Sequence, residues 1–182
     1  SSYKFNGGTD LIATTTQLGT TSTYTVSFWV QFDQISAAWL VMHGGTQTGA
    51  ISYGFDDGAR LISDGTIKQY VYNGTQNWIG SNNVQANNQW YHIVYSLSPS
   101  GMKMFINGAL SHLEPNVTTS QAINGYWRIG GCTHPGHISL FGSLDDIGIW
   151  NRELSQSEIN SLYNQPIIQW STTESNDSIY IP

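Results

Sequence analysis

"TSTYTVSFWVQFDQ", residues 21–34, alternates without a break: Tyr24, Val26, Phe28, Val30 and Phe32 fall on one side, Thr25, Ser27, Trp29 and Gln31 on the other. A period of two belongs to an extended chain whose successive side chains point to opposite faces, so the stretch predicts a half-buried β-strand. Downstream, "QWYHIVYSLS" at 89–98 is apolar on both faces, with Trp90 and Val94 against Tyr91, Ile93 and Tyr95. A strand covered on both sides belongs in the middle of a sheet.

Working outward, "ARLISDGTIKQYVYNGTQNW" (59–78) carries Asp64-Gly65 between two alternating runs, and "GMKMFINGALSHL" (101–113) carries Asn107-Gly108 in the same way. Both pairs tolerate the positive φ angles of tight hairpin turns. With "WLVMHGG" (39–45), "AISYGF" (50–55), "YWRIGG" (126–131) and "HISLFGSLDDIGIW" (137–150), about a dozen short strands recur near ten-residue spacing. The expected fold is all-β, an antiparallel sandwich, in one domain spanning 1–164. Asp56-Asp57-Gly58 reads as a hairpin tip. The tail "QPIIQWSTTESNDSIYIP" (165–182) is irregular, and its Ile167, Ile168 and Trp170 are expected to pack on the domain or on a neighbouring protein chain.

A single short helix is expected near the C-terminus. Ser155 and Glu158 have the spacing of a capping box, Leu154 and Ile159 that of a hydrophobic staple, and Ile159, Leu162 and Tyr163 form one apolar stripe. So short a helix needs the sandwich for support, and it is expected to plug an open edge or end of the sheets.

Composition narrows the partners. Only 10% of the 182 residues are charged, against the roughly 25% usual in soluble domains, and the net charge is −6 with six Lys plus Arg. The basic patch that nucleic acid or an anionic membrane demands is missing. No apolar run approaches the length of a membrane span. Ser1 opens without a charged-then-apolar leader, as expected of a mature fragment or an excised module. The lone Cys132 excludes an internal disulfide.

"YKFNGGTDLIA" (3–13), "YTVSFWVQF" (24–32), "QWYHIVYSL" (89–97), "KMFINGAL" (103–110), "WRIGG" (127–131) and "GSLDDIGIWNRELSQSEINSLY" (142–163) follow one another in the order and spacing of the laminin G-like, concanavalin A-like jelly-roll domains. Residues 3–164 resemble that family. The resemblance implies two curved antiparallel sheets in an extracellular, cell-surface or virion-surface protein, serving as a carbohydrate-binding or adhesive module. It also implies that Asp10 and Asp145 stand where some relatives hold a structural calcium ion. The alternative for Asp145 is a turn cap that accepts backbone N–H groups.

Enzymes of this architecture carry paired carboxylates at alternate positions of one strand, and no Glu here has an Asp or Glu so placed; a glycoside hydrolase or polysaccharide lyase is not the expected activity. In "GGCTHPGH", Cys132, His134 and His137 are borderline ligands for zinc or copper without an evident fourth, and the imidazoles are otherwise expected to be exposed and to touch a ligand. Sugar binding needs a flat aromatic platform for the apolar face of a pyranose, with planar amides for its hydroxyls. Trp78, flanked by Asn77 and Gln76 and followed by Asn82 and Asn83, is the preferred platform. Tyr70, Tyr72, Trp39 and Trp127 are the other aromatic candidates. Two functions follow from these residues: a glycan-binding module, or a structural, protein-contact domain such as a virion cement or fibre spacer.

Overall fold

The alternation at 24–32 is realised as a strand that lies between two others in a six-stranded sheet. The computed structural model describes residues 2–19, 22–45, 55–84, 88–121, 124–132 and 139–164; "AISYGF", all but its last residue, and the tail from 165 lie outside them. The described strands are β1 (Tyr3–Asn6), β2 (Ile12–Ala13), β3 (Leu18–Gly19), β4 (Tyr24–Phe32), β5 (Ala38–Gly44), β6 (Phe55–Leu61), β7 (Thr66–Tyr72), β8 (Gln76–Asn83), β9 (Trp90–Ser98), β10 (Gly101–Ile106), β11 (Ala109–Glu114), β12 (Asn124–Ile129) and β13 (Phe141–Trp150), followed by the helix α1 (Gln156–Asn164). One sheet runs β1-β13-β4-β9-β10-β11. The other runs β2-β12-β5-β6-β7-β8, with β3 paired to β12. All described pairings are antiparallel.

The sheets face each other across one core. Val26, Phe28 and Val30 from β4, with Ile93, Tyr95 and Leu97 from β9, meet Ala59, Leu61, Ile67 and Val71 of the second sheet. Hydrogen bonds cross the same gap: the Tyr95 hydroxyl donates to Val41 O at 3.3 Å, and Gln69 Nε2 donates to Ser96 O at 3.0 Å. Tyr24 and Tyr95 also face the carboxylate of Asp57, which is fully buried. Burial first, and then the Asp57 charge, raises both phenols well above their ordinary pKa. Asp57 therefore sits in the middle of β6 and not at a hairpin tip. The Asp-Asp-Gly signal misleads because Gly58 is used here for close packing: a Cβ there would stand 2.8 Å from Met42 Cβ and 3.0 Å from Trp39 Cζ3.

The hairpins form where the turn residues place them. Gly65 has φ 86°, and Asp64 Oδ1 accepts the Thr66 N–H at 2.8 Å. Asn107 and Gly108 have φ 50° and 78°. Asn107 Oδ1 also accepts the His92 N–H at 2.9 Å, so the β10–β11 turn is fastened to β9.

The capping box is present. Glu158 Oε2 accepts the Ser155 N–H at 2.8 Å, Ser155 Oγ accepts the Glu158 N–H at 3.3 Å, and Arg152 reinforces Glu158 at 2.7 Å. Leu154 and Ile159 pack with Val94 and Phe105 in one buried cluster. The helix thus lies on the outer face of the six-stranded sheet, not on an edge or end. The reason is β9, whose second apolar face has to be covered. Tyr163 stacks on Trp29 at 5.7 Å between ring centroids and on His92 at 5.9 Å, completing that cover.

Two predictions test this cover. Ser155→Ala is expected to lower stability by about 1 kcal/mol and Ile159→Ala by about 2–5 kcal/mol, read as lower urea midpoints at unchanged slope. Burial lowers His92 to about 4 from an ordinary 6.5. Between those values the unfolded chain takes up a proton that the folded one refuses. Stability is then full above pH 6.5 and falls by about 3 kcal/mol as the pH drops to 4. Thermal unfolding of His92→Gln across that range is expected to show a much flatter profile.

Candidate functional site

The outer face of the seven-stranded sheet is built from two neighbouring rows of cross-strand partners. Because Ile67, Val71 and Ile79 point into the core, Lys68, Tyr70 and Tyr72 of β7 and Trp78 and Gly80 of β8 point the other way. The register then aligns Trp39, Arg60, Lys68 and Gly80 in one row. Arg128, Met42, Gly58, Tyr70 and Trp78 form the next. The two rows are two residues apart along the strands, about 7 Å.

Three aromatic rings meet across these rows. Tyr70 and Trp78 have ring centroids 4.4 Å apart, and Trp39 lies 6.3 Å from Tyr70 and 6.4 Å from Trp78. Trp39 reaches this face through a register shift between Trp39 and Val41, and it lies over the space that Gly58 leaves. Trp39 and Tyr70 are 2% and 4% exposed and pack with Met42 and Cys132, with Tyr72 alongside. Trp78 is 39% exposed. The cluster is a buried aromatic base carrying one ring that presents itself to solvent.

Charge stands beside the rings. The Arg60 guanidinium lies 5.8 Å from the Trp39 ring centre, within cation–π range. Burial lowers Arg60 and Arg128 from the ordinary guanidinium value, and the nearby Cys132 sulfur opposes that shift in both; guanidinium groups stay protonated at neutral pH. Among the described side chains no carboxylate lies on this face: Asp57 points to the core, and Asp64 is held in its hairpin turn.

Of the residues singled out from sequence, Trp78, Tyr70, Trp39 and Tyr72 are brought together. Trp127 is not. It is 4% exposed in the inter-sheet core, edge-on to Tyr24 and His43, because Arg128 takes the outward position on β12. Asn77 Nδ2 donates to Val71 O, Asn73 Oδ1 and Thr75 O, so it braces the β7–β8 turn. His134, His137 and the side chains of Asn82 and Asn83 lie outside the described residues. Sequence reading missed Arg60, Lys68 and Gly58, whose signal is register and not residue type.

Asp10 and Asp145 are not brought together. Asp10 Oδ2 accepts the Asn6 N–H at 2.9 Å, and Asn6 pairs with Phe141. Asp145 lies four residues along β13 from Phe141, a rise of about 13 Å, whereas calcium needs its oxygens at about 2.3–2.6 Å. Asp145 Oδ1 instead accepts the Asp146 N–H at 3.0 Å, beside a register shift, and Asp146 has φ 47°. Burial and the Asp145 charge raise Asp146 above the ordinary carboxylate value. Among the described residues no three His, Cys, Asp or Glu gather as a metal site. The geometry does not fit a calcium ion shared by Asp10 and Asp145.

The fold and this face define a jelly-roll β-sandwich with an aromatic outer surface on its seven-stranded sheet. Residues 6–160 match a laminin G family described as the concanavalin A-like lectin/glucanases superfamily, and the chain belongs to it. That superfamily includes both non-enzymes and enzymes. Among curated proteins none matches the chain. Among solved structures, a native heptameric SAP-like pentraxin from Limulus polyphemus is similar at TM-score 0.65 and 19% identity, over 88% of this chain and 76% of that one. Trypanosoma rangeli sialidase in complex with sialic acid is similar at TM-score 0.61 and 16% identity, over 78% of this chain. The botulinum neurotoxin serotype D binding domain is similar at 0.58 and 16%, also over 78%. The chain spans 22% of the sialidase and 35% of the toxin domain. At these identities the likeness is one of fold.

The burial difference within the cluster is testable. Trp39→Ala is expected to destabilise by about 3–5 kcal/mol and Trp78→Ala by well under that, measured by urea unfolding.

Proposed function

We propose that this chain is a non-catalytic carbohydrate-binding module of an extracellular, cell-surface or virion-surface protein, with its ligand on the Trp78 face. The observation that carries this reading is the half-exposed Trp78 ring resting on buried Tyr70 and Trp39. A ring fixed from below loses little freedom on binding, and its flat surface suits the C–H face of a pyranose. The superfamily and the toxin binding domain among the fold neighbours support the binding role.

The carboxylates support the absence of catalysis. Most glycoside hydrolase families use two carboxyl groups flanking one bond. Glu153 is held by Lys103 and Ser100, Glu158 by Arg152 and the helix cap, and Glu114 by Asn116. Asp57 is sealed in the core, away from the Trp78 face.

The test is a glycan array with the purified chain, run with calcium and again with a chelator. A defined hit is expected, weakened at least about tenfold, or about 1.4 kcal/mol, by Trp78→Ala. Leu113→Ser, on exposed β11 of the other sheet, is expected to leave it unchanged. Binding is expected to survive the chelator. No binding by folded protein would overturn the reading in favour of the protein-contact role.

A further inference from the structure

Half of the chain's positive charge is gathered on the face that carries Trp78. The sequence has six Lys and Arg against twelve Asp and Glu. Lys4, Lys103 and Arg152 form ion pairs with Asp33, Glu153 and Glu158. The other three, Arg60, Lys68 and Arg128, lie on the outer face of the seven-stranded sheet.

Arg60 and Lys68 are direct cross-strand partners. The Arg60 guanidinium lies over Trp39, its neighbour on the other side of the row. Among the described residues neither cation forms an ion pair, although carboxylates outnumber cations two to one in the chain. Arg60 Nε is buried without a hydrogen-bond partner. Asp64, whose Oδ1 accepts the Thr66 N–H, lies within electrostatic reach of Lys68 without forming an ion pair with it. Gly80, next in the row, has no side chain of its own, and the place a Cβ would take lies against Thr66 Cγ2 at 3.4 Å and Lys68 Cγ at 3.9 Å. Two cross-strand cations without an ion pair among the described residues can be joined by one anion.

The row of Arg60 and Lys68 runs parallel to the row of Tyr70 and Trp78, about 7 Å away. A sugar ring lying on Trp78 can extend an exocyclic acidic group over that distance. The guanidinium fork takes a carboxylate or sulfate through two parallel N–H bonds, and the ammonium adds a point charge. We infer that the ligand is an anionic saccharide, its ring on Trp78 and its carboxylate or sulfate received by Arg60 and Lys68. This rests on the glycan-binding reading above and specifies the ligand class.

The experiment measures binding of the folded chain to matched pairs of oligosaccharides: a uronic-acid oligosaccharide and its carboxyl-reduced form, a sialylated one and its asialo form, a sulfated one and its desulfated form. At least one charged member is expected to bind tenfold or more tighter than its neutral partner. Which pair responds distinguishes carboxylate from sulfate. That preference is expected to fall with added salt, to be lost in Arg60→Gln and Lys68→Gln, and to return in part in Arg60→Lys. Lys68 is partly exposed, so Lys68→Gln keeps the test open if Arg60→Gln fails to fold, which circular dichroism would reveal. Equal binding of both members of every pair, still sensitive to Trp78→Ala, would overturn the anion assignment and leave the glycan reading standing. So would charged-sugar binding that ignores both substitutions. No binding to any member by folded protein would overturn both.

Discussion

The structure depends on β9 being buried on both faces. Ile93, Tyr95 and Leu97 of that strand fill the inter-sheet core, and His92 and Val94 are closed over by α1. Once the second face of the six-stranded sheet is sealed this way, that sheet is committed to structure. A helix of nine residues would not persist alone in water. It holds because the Ser155–Glu158 cap fixes where it begins and the Leu154–Ile159 staple fixes how it lands. The complementary sheet, bearing the Trp78 row, is where the chain presents aromatic and cationic groups together.

That presentation follows from register more than from residue type. A strand's side chains alternate, so one slip along β7 or β8 would send Tyr70 and Trp78 into the core and Val71 and Ile79 to the surface. The inter-sheet hydrogen bonds from Tyr95 and Gln69 and the buried Asp57 oppose such a slip, because each would lose a partner in a place without water. The polar groups in the core therefore help specify the aromatic face, although they lie on the other side of the sheet.

How much of this was legible in the sequence differs by residue. The alternation of 24–32, the two turn dipeptides and the capping box are local, and each formed where the residues place it. Tyr70 and Trp78 could be read as outward because their strands alternate regularly. Trp127 was misread because "YWRIG" offers aromatic residues on both faces, and its parity is settled by pairing to β5. Asp57 was misread because Asp-Asp-Gly imitates a turn, whereas Gly58 is required by Trp39. Trp39 owes its contact to an irregularity in β5 that no period reveals. Arg60 and Lys68 are eight residues apart in a chain of scattered cations, and only the hairpin through Asp64-Gly65 sets them side by side.

That hairpin joins fold to function. Its turn residues fix the register of β6 on β7, and the register alone places two cations opposite each other next to an exposed indole. The Arg60 contact with Trp39 accounts for one of these cations, whereas Lys68 has neither an aromatic ring nor an ion pair among the described residues. Two cations without an ion pair among the described residues, kept beside an aromatic ring that the core holds from below, are what a site waiting for an anionic ligand would carry.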